Sequence, residues 1–361
     1  MKRVTYISNF TDRMSFEDVE QIGEISVRNN TRDDLSGVLF CYRNVFYQVL
    51  EGPEEKADAT LERIKRDERH GNVFILNVEQ DIKERLYPDW KMKTVVLDDN
   101  QDYLVRPIKM MLDSIARNHR WLEKYSPQTI LKAIQNGEDP TRLPPRQQDA
   151  LILFADIVGF TTFSEFMPPA EITSLLDQYY ELMNRALLRH GEIMKMTGDG
   201  LAAHFSIEKI PAVIEACIQM QRDLERLRTR QGNRSALGHL YTGIGLASGK
   251  VIATNVGSDL RRDYTLFGDS VNVASRVEGI TRKVKRGLLF TDTVASRIEG
   301  RPALSRIARY NPKGKSEYID LYTIDLPELK LPPRDQIIAG IRSLQAAHPN
   351  GTKQLVAGVV S

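Results

Sequence analysis

The chain of 361 residues has only two cysteines, Cys41 and Cys217. Two thiols so far apart in sequence are too few for a disulfide framework and lack the close spacing of a metal knuckle, so we expect a reducing, cytoplasmic location. No apolar run approaches the ~18 residues that a membrane-spanning helix requires, and the opening Met1-Lys2-Arg3 is not followed by the apolar stretch of a signal peptide. We therefore expect a protein that is neither exported nor held in a membrane.

An excess of one charge sign is also lacking, because 50 Lys and Arg residues are balanced by 48 Asp and Glu residues, which leaves a formal net charge of +2. Such a balance creates no global field toward nucleic acid or acidic lipid, and neither is expected as a partner. The basic run at 282–286 is interpreted as a solvated helix face. The length allows two domains, each with its own core.

The first hundred residues alternate between strand-like and helix-like patterns. Strands are predicted at 4–8, 36–42, 45–51 and 73–78, helices at 15–28 and 54–69, and a further strand near 90–97. The first six elements follow the order strand, helix, strand, strand, helix, strand. This is the split βαβ order of a ferredoxin-like sandwich.

A helical pattern follows from 103 to 135. Positions spaced alternately by three and four residues are typical of a coiled-coil seam, and they are Val105, Ile108, Leu112, Ile115, His119 and Leu122. A parallel dimer helix is one interpretation, and an amphipathic helix packed on its own domain is the other. Asn136-Gly137 and the prolines that follow end the helix, so residues 99–147 are assigned to a connector and linker.

The split order recurs in the second half of the chain. An apolar run at 150–155 is typical of a strand buried on both faces, and helices are predicted at 169–189 and 210–228 around a hairpin centred on 197–200. The predicted fold class is therefore α+β, with two ferredoxin-like (split βαβ) domains joined by a coiled-coil-like helix. Residues 326–361 are treated as a C-terminal tail.

Asp156 and Asp199 are the first candidates for chemistry in this half. One follows the buried strand and the other lies at the hairpin tip, so both can meet at one edge of the sheet. Two ionised carboxylates ~4 Å apart repel by roughly 4 kcal/mol at an effective dielectric of 20, which favours a bound Mg²⁺ or Mn²⁺. Each aspartate alone could also be an ordinary turn residue.

The turn at 158–161, which includes Phe160 and Thr161, offers free backbone amides to phosphate oxygens. A second polar segment runs from 264 to 276, where Asn272 and Arg276 are four residues apart on one predicted helix face. A guanidinium beside an amide suits a triphosphate. A solvated helix surface is the alternative for either residue.

Together these segments resemble the class III nucleotidyl cyclases over residues 148–325. Asp156 and Asp199 match the family's two metal-binding aspartates, and the backbone of Ile157 matches its metal-binding carbonyl. Asn272 and Arg276 match the amide and the guanidinium that act on the transition state. The resemblance implies two Mg²⁺ or Mn²⁺ ions per active site. It also implies a homodimer, because each site in the family takes its metals from one subunit and its base contacts from the other.

The same resemblance implies a choice of nucleotide. Lys195 and Thr265 match the adenine-recognising positions, where similar guanylyl cyclases carry an acidic residue and a cysteine, so ATP is the expected substrate. Lys313 matches a phosphate-contacting lysine, although Lys315 could take that place.

A buried amide is the notable feature of the first domain. Strand alternation puts Gln48 on the same face as Phe46 and Leu50, and a buried amide needs partners, which Tyr6 and Asn30 could supply. A satisfied core glutamine is the alternative.

Residues 1–98 resemble the BLUF family of blue-light flavin sensors. The resemblance is carried by Tyr6, Asn30 and Gln48 and by the segments 36–39, 50–52 and 90–92. The resemblance implies that Asn30 and Gln48 bind the ring of FMN or FAD and that Tyr6 is the electron donor to the excited flavin. Trp90 and Met92 would lie on the strand that responds to the flavin. The resemblance does not decide which of the two faces the flavin.

The order of a flavin sensor, a connecting helix and a class III cyclase resembles that of photoactivated adenylyl cyclases. It implies a blue-light-activated enzyme that converts ATP to cyclic AMP and pyrophosphate. A light-responsive module that binds nucleotide without turnover is an alternative, but the complete set of site residues disfavours it. A guanylyl or diguanylyl cyclase is another. The Gly-Gly-Asp/Glu-Glu-Phe hairpin of diguanylyl cyclases is absent from the sequence.

Overall fold

The structure, a computed structural model, describes residues 1–10, 16–42, 45–97, 105–136, 138–258, 261–298, 304–311 and 318–347. The chain divides into two compact units, Met1–Leu143 and Pro144–Ser361. Each unit is built on one β-sheet. Across the described ranges, no helix has both the length and the apolar character needed to span a bilayer.

The first unit contains a five-stranded sheet. Its elements are β1 (Lys2–Phe10), α1 (Phe16–Asp33), β2 (Ser36–Tyr42), β3 (Val45–Gly52), α2 (Glu54–Arg66), β4 (His70–Glu79), β5 (Lys93–Val96), α3 (Val105–Tyr125) and α4 (Gln128–Gln135). The strand order is β4-β1-β3-β2-β5, and the first four strands are antiparallel neighbours. This is the ferredoxin-like order, so the split βαβ prediction is confirmed.

Both faces of this sheet are covered. On one face Tyr6 of β1 packs with Leu61 of α2, and on the other Ile7 packs beside Ile115 of α3 and Ile134 of α4. Successive residues of a strand point to opposite faces, so β1 contributes to two cores at once. Strand β1 is therefore held from both sides.

The helix predicted over 103–135 is interrupted at Ser126 and Pro127, where α3 ends and α4 begins. Proline has no N–H and disfavours helical backbone at the preceding residue, which explains the break. Leu112 is buried on α3, and the ring of His119 stacks on Phe74 of β4 at 3.4 Å between centroids. These contacts agree with the amphipathic interpretation at Leu112 and His119. Large apolar side chains on the rest of α3 stay exposed, namely the seam positions Ile108 and Leu122 together with Met110, Met111, Trp121 and Tyr125.

The second unit contains an eight-stranded sheet. Its elements are β6 (Arg146–Ile157), α5 (Phe160–Phe166), α6 (Pro169–Leu187), β7 (Gly191–Thr197), β8 (Gly200–Ser206), α7 (Ile210–Gln231), β9 (Thr242–Ser258), β10 (Arg261–Phe267), α8 (Asp269–Val284), β11 (Leu288–Thr291), α9 (Asp292–Ala295), β12 (Leu304–Tyr310), β13 (Ile319–Ile324) and α10 (Arg334–Ala347). The order is β12-β13-β11-β9-β6-β8-β7, with β10 paired to β9. Strands β9-β6-β8-β7 repeat the split order, again as predicted.

Strand β6 lies between two cores, which explains its unbroken apolar run. Leu151 and Leu153 face the core formed with α6 and α7, whereas Ile152 faces the core formed with α8. Each of these side chains is fully buried, which contributes roughly 1.5–3 kcal/mol per side chain to folding. The strand that carries Asp156 next to its last residue is thus buried on both faces.

The segment treated as a C-terminal tail contains helix α10. Ile337, Ile341 and Leu344 of this helix are buried in the same core as Leu151. Ile341 also lies beside Gly159, because a Cβ built at Gly159 would be 3.2 Å from its Cδ1 atom. Helix α10 therefore packs against the turn that follows β6.

Candidate active site and flavin site

The pairing of β6 with β8 brings Asp156 and Asp199 together. Asp156 lies opposite Gly200, the residue directly after Asp199. The backbone N–H of Ile157 donates to the carbonyl oxygen of Asp199 at 3.1 Å. The Asp199 carboxyl contributes to a raised pKa of Asp156, as expected for two carboxyl groups near each other. The ladder between two strands thus fixes both candidate metal ligands.

The hairpin tip that carries Asp199 is held by close contacts. Gly198 has a φ of 74°, which favours glycine, and a Cβ at Gly200 would lie 2.9 Å from the carbonyl oxygen of Ala155 and 3.2 Å from Oδ1 of Asp156. The hydroxyl of Tyr180 donates to the carbonyl oxygens of Gly198 at 2.7 Å and Gly200 at 3.1 Å. Tyr180 was not singled out from the sequence, because its partners are backbone atoms of a distant turn.

Helix α8 adds two charged residues that the sequence analysis did not assign to the site. Nη2 of Arg282 donates to Oδ2 of Asp156 and, at 2.9 Å, to Oε1 of Glu278. The Arg282 side chain is only 26% exposed. The interpretation of 282–286 as a solvated face is therefore wrong for Arg282. The i,i+4 spacing of Glu278 and Arg282 was the signal that could have identified the pair.

The acidic groups disfavour full ionisation of one another. Burial raises the pKa of the Asp156 carboxyl, Arg282 opposes that rise and Asp199 adds to it, with a net upward direction. Burial also raises the pKa of Glu278 to about 7, opposed by Arg282 and reinforced by the charges of Asp156 and Asp199. Additional positive charge at this point would stabilise the ionised carboxylates.

The donor set fits a hard divalent cation. Asp156, Asp199 and the carbonyl of Ile157 offer only oxygen, which Mg²⁺ and Mn²⁺ prefer. Magnesium sites commonly use one or two protein carboxylates and take their other ligands from water and substrate phosphates. Within the ranges that the structure describes, no group of three or more His, Cys, Asp and Glu side chains is arranged to hold a metal. The observed pair suits ions that share ligands with a nucleotide.

The predicted transition-state residues lie on another face of α8. Asn272 and Arg276 are exposed, and neither side chain forms a hydrogen bond or ion pair with another described residue. At 3.6 residues per turn, they project about 120° around the helix from Glu278 and Arg282. A single chain does not bring them to the aspartates.

The predicted base-recognising residues also lie apart from the aspartates in the sheet. Lys195 is exposed on β7, the last strand in the sheet order, and Thr265 is half-buried on β10, opposite Thr254 of β9. Phe160 and Thr161 begin the seven-residue helix α5 directly after the turn that follows β6. Lys313 lies outside the described residues.

The first unit brings three predicted flavin-site residues into one cluster. The hydroxyl of Tyr6 donates to Oε1 of Gln48, and Nε2 of Gln48 donates to Sδ of Met92 at 3.6 Å. All three side chains are buried. Burial raises the pKa of the Tyr6 hydroxyl, so this group stays protonated as a donor. Asn30, also buried, donates from Nδ2 to the carbonyl of Lys91 at 2.6 Å.

The two amides fit a flavin ring. The thioether that accepts from Gln48 is a weak acceptor, and Asn30 has a second N–H bond and a carbonyl oxygen beyond its contact with Lys91. Ring nitrogen and oxygen atoms would complete both sets of hydrogen bonds. Trp90 lies outside this cluster, because it is 42% exposed and stacks on Tyr87 with centroids 5.2 Å apart. The prediction that Trp90 and Met92 lie on a strand is wrong, because β5 begins only at Lys93.

Family models match both units. Residues 1–93 match the BLUF family, described as sensors of blue light using FAD, and residues 144–319 match the adenylate and guanylate cyclase catalytic domain. The chain is 27% identical over 355 residues to the photoactivated adenylate cyclase subunit beta of Euglena gracilis, covering 98% of this chain but 40% of the relative. It is 33% identical over 226 residues to an adenylate cyclase of Anabaena cylindrica, covering 60% of this chain and 44% of the relative. The chain thus spans less than half the length of these curated relatives.

A solved structure matches the chain over nearly its whole length. It is described as a bacterial light-regulated adenylyl cyclase, and the match has a TM-score of 0.86 and 36% identity over 95% of this chain and 99% of the other. The order of two matched domains and the shared fold of both agree with the resemblance noted from the sequence. The chain therefore belongs to the family of light-regulated adenylyl cyclases in which a BLUF domain precedes a class III cyclase catalytic domain.

Proposed function

We propose that this protein converts ATP to 3′,5′-cyclic AMP and pyrophosphate, and that blue light absorbed by a flavin in the first unit increases the rate. In this proposal residues 1–98 sense light, 99–147 connect, 148–325 catalyse and 326–361 form a C-terminal segment. We place the protein in the cytoplasm, where the buried, unpaired thiols of Cys41 and Cys217 stay reduced. The observation that carries the catalytic proposal is the approach of the Asp156 and Asp199 carboxyls at the ends of paired strands.

Asp156, Asp199 and the carbonyl of Ile157 would hold two Mg²⁺ or Mn²⁺ ions. Such ions would neutralise charge and lower the pKa of the ribose 3′ hydroxyl, the group that replaces pyrophosphate on the α-phosphorus when the ring closes. The pairing of β6 with β8 keeps the carboxylates in place before substrate arrives, which lowers the reorganisation needed. Phe160 and Thr161, at the start of α5, lie beside this edge and would contact the phosphates through backbone amides. Lys313 is proposed as a phosphate contact from its sequence position alone.

The remaining groups are proposed to act across a homodimer. Asn272 would orient the ribose, Arg276 would stabilise charge on the phosphates, and Lys195 with Thr265 would bind adenine. The exposure of Asn272 and Arg276, and their direction away from Arg282, support delivery of these groups to the aspartates of a second copy. Two equivalent sites would result from a two-fold pair.

The first unit is proposed to bind FMN or FAD through Asn30 and Gln48. The bound flavin would absorb blue light and accept an electron from Tyr6. Gln48 suits a switch, because turning or tautomerising its amide exchanges a donor for an acceptor toward Tyr6 and Met92. Met92 lies directly before β5, is in contact with this amide and would sense the exchange, whereas Trp90 is exposed and makes no such contact.

The test is cyclic AMP formation by the purified protein with ATP and Mg²⁺, in darkness and under blue light. We expect a yellow protein that forms product faster in the light. Replacing both Asp156 and Asp199 with Asn should abolish synthesis and keep the light-induced absorption change. Asp149→Asn, at the exposed start of β6, is the matched control and should keep activity. Undiminished synthesis by the double variant, or a colourless protein with light-independent turnover, would contradict the proposal.

A further inference from the structure

The guanidinium of Arg282 lies between two carboxylates, and one nitrogen, Nη2, contacts both Asp156 and Glu278. Its Nε atom is buried and has no hydrogen-bond partner in the described part of the chain. An arginine bound to a carboxylate in its best geometry uses two parallel N–H bonds. Arg282 is therefore held without using its full set of donors, and a buried unpaired N–H has a free-energy cost.

Glu278 is the fixed member of this trio. Helix α8 crosses β9 so closely that a Cβ at Gly245 would lie 2.1 Å from the backbone nitrogen of Glu278, and a Cβ at Gly243 would lie 3.0 Å from its Oε1. The Glu278 side chain is only 11% exposed. The long side chain of Arg282, one turn further along, is the part that can move.

A divalent cation and Arg282 require the same oxygen. Oδ2 of Asp156 accepts from the guanidinium, whereas cation binding between Asp156 and Asp199 requires the carboxylate lone pairs for the metal. Two positive groups on one carboxylate also repel each other. Arg282 must therefore leave Asp156, at least in part, when the cation binds.

We propose that Arg282 is the built-in counter-ion of the metal site and that Glu278 is its second position, so that the guanidinium shifts from Asp156 to full pairing with Glu278 as a divalent cation binds. The inference rests on the metal site of the proposed function. In this arrangement Arg282 weakens metal binding and Glu278 restores it by drawing the guanidinium away. Both are positioning residues, since neither is required to touch the nucleotide.

The experiment is a Mn²⁺ titration of the full-length protein, with free Mn²⁺ measured by electron paramagnetic resonance and a 3′-deoxy ATP analogue present so that no turnover occurs. Arg282→Gln should lower the Kd for Mn²⁺ by about tenfold, and Glu278→Gln should raise it by a similar factor, as expected for loss of one close charge pair. Lys283→Gln removes a neighbouring exposed charge and should leave the Kd unchanged.

The double variant separates this exchange from general electrostatics. If Glu278 acts through Arg282, Glu278→Gln should have little effect once Arg282 is already Gln, so the two changes should not add. The proposal would be overturned if the two effects were additive. It would also be overturned if Arg282→Gln had the same Kd for Mn²⁺ as Lys283→Gln or the unmodified protein. Should Arg282→Gln not fold, Arg282→Met also removes the charge and keeps a long unbranched side chain, and an unchanged Kd would be equally contrary.

The result is independent of the cyclase assay. Protein that makes no cyclic AMP but shows the non-additive Kd changes would leave the exchange standing and the proposed reaction rejected. Protein that makes cyclic AMP but shows additive or absent Kd changes would leave the proposed reaction standing and the exchange rejected.

Discussion

Tyr6 and Gln48 face each other across the β1–β3 pair, and the tyrosine hydroxyl donates a hydrogen bond to Oε1 of the amide. Both side chains are buried, so neither finds a replacement partner in water. The contact joins the proposed electron donor to the proposed switch.

Tyr6→Phe should therefore remove the response to light without removing the fold. The ring stays the same size and its packing with Leu61 is kept, but the hydroxyl is lost. We expect a yellow protein that makes cyclic AMP at the dark rate under blue light, with no light-induced shift of its absorption. Tyr47→Phe, on the neighbouring position of β3, is the control and should keep both properties. A Tyr6→Phe protein with the normal light response would rule out this role.

Mixing two inactive variants tests the shared active sites. One chain carries Asp156→Asn with Asp199→Asn, and the other carries Asn272→Ala with Arg276→Ala. If each site combines groups from two chains, half of the randomly formed dimers have one intact site, and about a quarter of the normal activity should return. Activity is measured after the chains are mixed and allowed to exchange. No recovery despite verified mixed dimers would indicate that each chain forms its own site.

Lys195→Glu together with Thr265→Cys should shift preference from ATP toward GTP. Guanine presents the opposite pattern of donors and acceptors, so the exchanged side chains match its edge and mismatch adenine. We expect the ratio of kcat/KM for ATP to that for GTP to fall by at least about tenfold. Lys195→Gln removes the charge alone and serves as the control. An unchanged ratio would remove the basis for adenine recognition by this pair.

Gly200→Ala should impair the metal site from within the backbone. The added Cβ would meet the carbonyl oxygen of Ala155 and Oδ1 of Asp156, so the strand must shift. Overpacking of this kind costs about 1–3 kcal/mol, and we expect a lower Tm and a large loss of activity. Gly279→Ala on α8 meets nothing within 4 Å and should instead stabilise the helix by about 0.5–1 kcal/mol. Full activity in Gly200→Ala would show that Asp156 tolerates the shift.

His70 should make the first unit less stable in mild acid. Burial lowers the pKa of its ring, with a further lowering by Arg69 opposed by Asp67, and Nδ1 is 2.9 Å from Oγ of Ser8. The unfolded chain then binds more protons than the folded one below about pH 6.5, so the free energy of unfolding falls as pH falls through that value.

Tryptophan fluorescence during urea unfolding measures this effect, because both tryptophans, Trp90 and Trp121, belong to the first unit. His70→Gln should reduce the dependence of the unfolding midpoint on pH between about 7.5 and 5.5. His190→Gln in the second unit should leave it unchanged. An identical pH profile for His70→Gln and the unmodified protein would contradict the assignment.

The sequence predicted the parts of the site that short-range patterns determine. Asp156 follows an apolar run and Asp199 lies at a glycine-flanked turn, so strand pairing was enough to place them together. Gln48 was identified in the same way, from alternation along one strand. Local rules of strand geometry carry this information.

Contacts between distant segments could not be predicted in this way. Arg282 reaches Asp156 across 126 positions in the sequence, and a basic run gives no indication of which of its members turns inward. The break at Pro127 was a local signal that a regular apolar spacing concealed. Helix α10 follows two prolines, yet its buried positions 337, 341 and 344 have the spacing of an amphipathic helix.

The packing of Ile341 beside Gly159 has a consequence for truncated versions of this protein. A version that stops at residue 325 ends after the last strand of the sheet and would look complete by domain boundaries. It would nevertheless remove the apolar side chain that covers the turn after β6, close to Asp156, and would expose that turn to solvent. Fusions and tags are better attached beyond residue 347, where α10 ends.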